Sequence, residues 1–351
     1  MDTENKRAEE FYSENCSLMG TEAWMTERFL TPIARRISPS VHPNTITVAN
    51  HLVVWLMFAA AASAPFLPPR FALGARIAAA VLIFVSQTLD CLDGIHARLT
   101  GQTSRMGEVL DHWFDSLNVP LFTAALILTL GLDPITTAAG LVCGFAPYHG
   151  QLVLYHRTGH FIHPNTSGYD GQFGLMAAFV TFGLLFFFFG FETPWLRTAV
   201  TVFAWVGVVV AITAIHFYVV RLKGRMVIPH LWFLIFCGLA AAFYAMGYIQ
   251  GHAFVFLASV ISFRLSGSYV LYTVLGKRYS GVDWSIPLGL LLIGGAGVFE
   301  RFLVGYEFRG YNLTHALPYA VILWLVGRNL LDLAHGAPEL RSSESLPEAR
   351  E

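Results

Sequence analysis

Five acidic side chains fall within 26 residues of this chain: Asp90, Asp93, Glu108, Asp111 and Asp115. Asp90 and Asp93 are three apart and share one helical face, and Asp111 and Asp115, four apart, share another. The linker from Leu99 to Met106 contains Gly101, Thr103 and Ser104 and reads as a short turn. It folds the flanking segments into an antiparallel helix pair, so that four carboxylates converge. In a small site of low dielectric, four ionised carboxylates need cations to neutralise them. Hard oxygen donors suit Mg²⁺ or Mn²⁺ rather than zinc, which favours Cys or His. Two such ions could clamp a diphosphate and stabilise both oxygens of an in-line displacement. Gly94 and Gly107 leave room for a phosphate group beside the backbone, and Arg98 offers it a guanidinium fork.

The elements that must position these groups are membrane spans. Apolar residues make up 55% of the 351-residue chain and charged residues 13%, with 29 Phe. A soluble protein carries about 25% charge, so a globule of this composition could not cover itself with polar groups. Ten apolar runs are each long enough to cross a bilayer at about 20 residues. They lie near 46–68, 73–92, 108–131, 135–155, 174–190, 197–220, 229–249, 252–275, 285–304 and 316–335. With the N-terminus cytoplasmic, fifteen basic residues fall in inside segments and five in outside loops, which favours both termini inside. The expected fold is all-α and integral to the membrane, with the acidic cluster at the cytoplasmic ends of the second and third spans.

Ahead of the first span, Trp24, Phe29, Leu30, Ile33 and Ile37 can share one helical face, with Glu22, Glu27, Arg28, Arg35 and Arg36 elsewhere. This pattern predicts an N-terminal interfacial amphipathic helix, lying on the membrane or docked on the protein's own cytoplasmic face. The tail after Ala337 is rich in Ser, Glu and Pro and reads as disordered. A formal net charge of −1 argues against bulk nucleic-acid binding. The four cysteines show no metal or disulfide spacing. No apolar stretch precedes residue 40, so no cleavable signal peptide is expected.

The third span carries a polar stripe, Glu108, Asp111, His112 and Asp115, at i, i+3, i+4 and i+7. Glu108 and His112 are one turn apart, so the carboxylate could orient the imidazole and raise its basicity. His112 could then take a proton from a hydroxyl acceptor; Asp115 is the competing base. Elsewhere, His156 and His160 are four apart and sit at the edge of a polar loop. Tyr169 and Asp170 follow in that loop, and Arg264 and Arg328 fall within spans. The two arginines read as partners for Glu300, Asp332 or a phosphate. Asn44 and Thr47 read as caps of the first span.

The run from Asp90 to Asp115 fills every position of Asp-x2-Asp-Gly-x2-Ala-Arg-x8-Gly-x3-Asp-x3-Asp, and it resembles the signature of the CDP-alcohol phosphotransferase family. The neighbouring pairs Thr100-Gly101, Gly107-Glu108, Asp111-His112 and Asp115-Ser116 resemble its cholinephosphotransferase and ethanolaminephosphotransferase branch. So does the upstream run from His42 to Thr47, although Leu99 stands where that branch has a second Arg. The resemblance implies that Asp90, Asp93, Asp111 and Asp115 hold two Mg²⁺ or Mn²⁺ ions, and that Gly94, Ala97, Arg98 and Gly107 line the CDP site. It implies transfer of phosphoethanolamine or phosphocholine from a CDP-alcohol to diacylglycerol, releasing CMP, with His112, Glu108 and Asp115 as the catalytic set. A homodimer is a further implication.

The expected organisation is a cytoplasmic segment over 1–45, a catalytic helix bundle over 46–220, additional membrane helices over 221–336 and a tail over 337–351. Within the family, the alternative is a CDP-diacylglycerol-dependent enzyme acting on inositol, glycerol phosphate or choline. Those members share the signature with about six spans, so the ten-span count and the Glu108–His112 pair favour the first reading. A divalent-cation transporter is the distant alternative. It would spread acids over several spans, whereas here they cluster at one end of one helix pair.

Overall fold

The structure, a computed structural model, describes residues 20–158, 168–221, 227–279, 281–304 and 313–342. Among the described residues ten long helices follow one another: α1 Pro43–Ser63, α2 Pro69–Thr100, α3 Arg105–Leu130, α4 Pro134–Thr158, α5 Gly168–Phe189, α6 Pro194–Arg221, α7 Val227–Ala245, α8 Gly251–Val274, α9 Ser285–Phe299 and α10 Leu313–Ser342. They coincide with the ten expected spans. No strand occurs among the described residues. Nine of the ten are long and apolar enough to cross a membrane, which makes this a multi-pass integral membrane protein. The tenth, α4, has 25 residues, but Tyr148, His149, Gln151 and His156 dilute its apolar character. Its polar groups lie largely inside the protein, His149 being fully buried.

The chain divides into two compact units, one of residues 1–111, 163–188 and 343–351, the other of 112–162 and 189–342. The division falls within the unbroken helix α3, between Asp111 and His112.

In the first unit, α1 and α2 pack along their lengths. Val54, Met57 and Ala61 of α1 are fully buried, as are Ala79 and Ile83 of α2. Alanines at the seam let the two backbones approach closely, as membrane helices require when lipid is as apolar as the side chains. Each helix opens on a proline at its first turn, where a missing N–H costs nothing. His42, rather than Asn44 or Thr47, caps α1: its Nδ1 accepts from the Asn44 amide at 3.2 Å. Arg76 lies within α2. It is 3% exposed, with its guanidinium 5.0 Å from the Phe186 ring centre of α5.

The N-terminal segment is helical over Gly20–Met25 and Thr31–Ala34, joined by a π turn at Thr26–Leu30. The i→i+5 pairing of a π turn rotates the chain so that residues five apart share a face. Met25, Leu30 and Ala34 therefore dock on Ile46, Leu92 and Ile95 of α1 and α2. Trp24, Phe29 and Ile33 stay exposed. The single apolar face expected from the sequence is thus split, one part docked and one part outward.

In the second unit, α8 is central, with 94% of its most apolar stretch buried, packed against α4, α7 and α10. α4 also packs on α6, and α9 on α10. α10 continues through Ser342, six residues into the stretch expected to be tail. Two contacts account for this: Leu340 is 2% exposed, and Glu339 pairs with Lys277 at 2.7 Å.

Candidate active site

The turn between α2 and α3 is built by three local devices. Gly101 takes φ 66°, which a side chain would strain. Around it the Gln102 amide donates to the Ala97 carbonyl at 2.9 Å, and the Gly101 amide to Arg98 at 3.4 Å. These two bonds close α2 in a Schellman motif. Ser104 then caps α3, its hydroxyl accepting from the Gly107 amide at 3.0 Å. The turn is tied to the N-terminal segment through Gln102, whose side-chain amide donates to the Pro39 carbonyl at 2.8 Å. His96, fully buried, meets the Val41 carbonyl at 2.8 Å.

This turn brings the ends of α2 and α3 together. Asp90 and Asp111 each place a carboxylate oxygen within 4.8 Å of the other's. One helical turn along α3, Asp115 offers an oxygen within the same distance of Asp111. Asp93 and Glu108 lie within electrostatic reach of Asp111, and so does the opposing Arg98. Hard carboxylate oxygens spaced in this way match the donor set of Mg²⁺ or Mn²⁺.

Two residues of α1 hold the α2 carboxylates in place. The Thr47 hydroxyl donates to Asp93 Oδ2 at 2.6 Å, and both residues are buried. Asn50 Nδ2 donates to Asp90 Oδ1 at 3.0 Å while its own carbonyl oxygen accepts from Ser86 at 2.6 Å. Thr47 is thus a carboxylate partner rather than only a helix residue, and Asn50 and Ser86 were not singled out from the sequence. Their signal was the polar spacing of Asn44, Thr47 and Asn50 along α1, and of Ser86, Asp90 and Asp93 along α2.

The Arg98 guanidinium lies over Gly94: a Cβ there would meet its Nη1 at 3.4 Å. A Cβ on Gly107 would meet Asn44 Oδ1 at 3.2 Å, so the start of α1 stands against this glycine. Ala97 is half-buried and gives its carbonyl to the turn.

Further along α3, His112 and Asp115 are half-buried and flank Trp113, which is 4% exposed. The Trp113 ring packs on Phe263 of α8, centroids 4.6 Å apart, and closely on Gly267. The indole is therefore packed within the protein. The His112 ring lies 6.0 Å from that of Tyr155. The Tyr148 hydroxyl reaches the His112 carbonyl at 3.5 Å. Glu108 and His112 sit one turn apart on the same helix, as expected.

The profile of the CDP-alcohol phosphatidyltransferase family matches residues 40–213, a stretch that contains the whole acidic cluster. The chain belongs to that family. Among curated relatives of this CDP-alcohol phosphatidyltransferase family member, a Saccharomyces cerevisiae cholinephosphotransferase is 28% identical over 152 residues, 42% of this chain and 37% of that protein. A Gallus gallus cholinephosphotransferase is 29% identical over 132 residues, 37% and 39% of the two chains. An archaetidylinositol phosphate synthase from Aeropyrum pernix is 35% identical over 117 residues, 32% and 52% of the two. In each case the chain matches well under two thirds of the relative's length.

Of the other residues singled out from the sequence, His156 is engaged in structure. Its Nδ1 lies 2.8 Å from the Thr273 hydroxyl, and its Nε2 accepts from the Tyr279 amide at 3.4 Å. His160 lies outside the described residues, as do the side chains of Tyr169 and Asp170.

Proposed function

We propose that this protein transfers a phosphoalcohol, phosphoethanolamine or phosphocholine, from a CDP-alcohol to the hydroxyl of diacylglycerol, releasing CMP. The observation that carries the reading is the approach of Asp90 to Asp111, with Asp115 following one turn on. Asp90, Asp93, Asp111 and Asp115 would hold two Mg²⁺ or Mn²⁺ ions, which neutralise the diphosphate and the transferring phosphoryl group. Arg98 binds a phosphate oxygen through its guanidinium fork. Gly94, Ala97 and Gly107 leave the nucleotide room beside the backbone. Glu108 orients the His112 imidazole, which takes the proton of the acceptor hydroxyl. Asp115 is the second candidate for that base. The acceptor oxygen bonds to the phosphorus bearing the alcohol, the bond from that phosphorus to the bridging oxygen breaks, and CMP leaves with that oxygen.

In this reading residues 46–220 form the catalytic bundle and 221–336 an additional membrane region. The site opens to the cytoplasm, where CDP-alcohols are soluble, and the lipid enters from the bilayer. Two copies of the chain form the working unit. A second reading, in which CDP-diacylglycerol is the donor and a small alcohol the acceptor, is favoured by the likeness to the archaetidylinositol phosphate synthase. The two are separated by incubating purified protein and Mg²⁺ with labelled CDP-choline, CDP-ethanolamine or CDP-diacylglycerol and matching acceptors. CMP release from CDP-choline or CDP-ethanolamine with diacylglycerol is expected. Release from CDP-diacylglycerol alone would establish the second reading, and release from none would overturn the reaction class.

A further inference from the structure

We propose that a polar cavity of about 620 Å³ between α8, α9 and α10, within the second unit, binds the phosphate headgroup of an anionic membrane phospholipid. Its wall is built on Arg264, which is 3% exposed. Arg264 Nε donates to Asp283 at 2.5 Å, Nη2 meets Asp332 at 2.6 Å, and Nη1 donates to Asn329 Oδ1 at 3.2 Å. All three guanidinium nitrogens are thereby committed, and the wall is a fixed frame of one cation and two carboxylates. Arg278 and Arg328 also line the cavity. Both are exposed, and neither forms an ion pair among the described residues. The three arginines and two aspartates sum to a charge of +1, the complement of a singly charged phosphodiester.

The surroundings indicate a lipid source. Arg278 follows the end of α8, and Trp284 precedes the start of α9 with 76% of its surface exposed. Trp324 of α10 lines the same cavity. A tryptophan and an arginine at the ends of spans, as Trp284 and Arg278 are, belong to the headgroup level of a bilayer, and basic pockets between membrane helices take anionic headgroups. The volume lies within the roughly 300–1,000 Å³ of ligand pockets. The two free guanidiniums offer the planar forks that suit phosphate oxygens. Neither of these arginines belongs to the acidic cluster, so the proposal stands apart from the reaction proposed above.

The test titrates the full-length chain in detergent with phosphatidylglycerol, phosphatidylcholine or inorganic phosphate and counts retained ligand by native mass spectrometry. Phosphatidylglycerol is expected to be retained in preference to phosphatidylcholine. Arg278→Ala and Arg328→Ala should each weaken it about five-fold, and together about 25-fold. Lysine at both positions should keep most of the binding. Arg341→Ala, on α10 outside the cavity, should change nothing. Full retention by the double alanine variant, or equal retention of both lipids, would overturn the proposal. Binding of inorganic phosphate without lipid would overturn the lipid source.

Discussion

Around Asp111 the carboxylates of Asp90, Asp93 and Glu108 face one guanidinium, that of Arg98, whereas around Arg264 two carboxylates and an amide close on a single guanidinium. The first lies where α2 and α3 meet beside their turn, the second joins the interior of α8 and α10 to the segment before α9, in a chain with few charges to place. In the first, like charges are gathered and held in position by neutral donors, Thr47 and Asn50. Such a site gains stability only when cations arrive. In the second, opposite charges satisfy one another, and the arrangement holds α8, α10 and the segment before α9 together. In the function proposed above, the acidic excess with its neutral props serves a ligand, whereas the charge balance at Arg264 fixes the packing of its helices.

The sharpest way to break this contrast is to neutralise one member of each cluster. Asp111→Asn should lower turnover by about 10⁴-fold, the scale of charge stabilisation in phosphoryl transfer. It should leave metal-free thermal stability equal or higher, because it removes a like charge. His112→Ala should cost about 10³-fold in turnover while CDP-alcohol binding, read by calorimetry, stays near wild type. Equal loss of both would move His112 from proton transfer to binding. In the other cluster, Asp283→Asn should leave a buried guanidinium undercompensated and cost about 3–5 kcal/mol of stability, read by thermal unfolding, with little effect on metal binding.

Acid sharpens the comparison further. Burial alone would raise the Asp283 carboxyl, but hydrogen bonds from Ser285 and the charge and hydrogen bond of Arg264 outweigh it and hold it below its ordinary value. A depressed folded value means stability that is present above the unfolded value, near 3.9, and lost as pH falls through the folded one. Unfolding scans between pH 6 and pH 3 should show this acid loss in wild type and a flatter profile in Asp283→Asn. The smallest effect belongs to a prop: Thr47→Val should lower metal affinity by about ten-fold, read by titration, with the fold intact.

How much of this was legible beforehand follows from where each feature resides. The cluster on α2 and α3 is written in local spacing, three and four residues within helices and a glycine turn between them, so it could be read directly. The ten helices follow from runs of apolar residues. Asn50 and Ser86 could not be assigned, because their role exists only once α1 packs on α2. Arg264 was expected to find Glu300, Asp332 or a phosphate. It found Asp332 and also Asp283, while Glu300 turns to cap α10 through the Leu313 and Thr314 amides. A choice among distant carboxylates is a tertiary matter that periodicity does not encode. The N-terminal face is divided for a local reason: a π turn changes the phase at which apolar residues align, and a 3.6-residue period does not encode which of them dock.

The central claim, that the acidic cluster is a divalent-metal site, is tested most directly by titrating Mn²⁺ into the purified chain and following free ion by electron paramagnetic resonance. Two bound ions are predicted for wild type, with Asp111→Asn losing at least one and Asp283→Asn keeping both. The same number of tightly bound ions in wild type and Asp111→Asn would contradict the account.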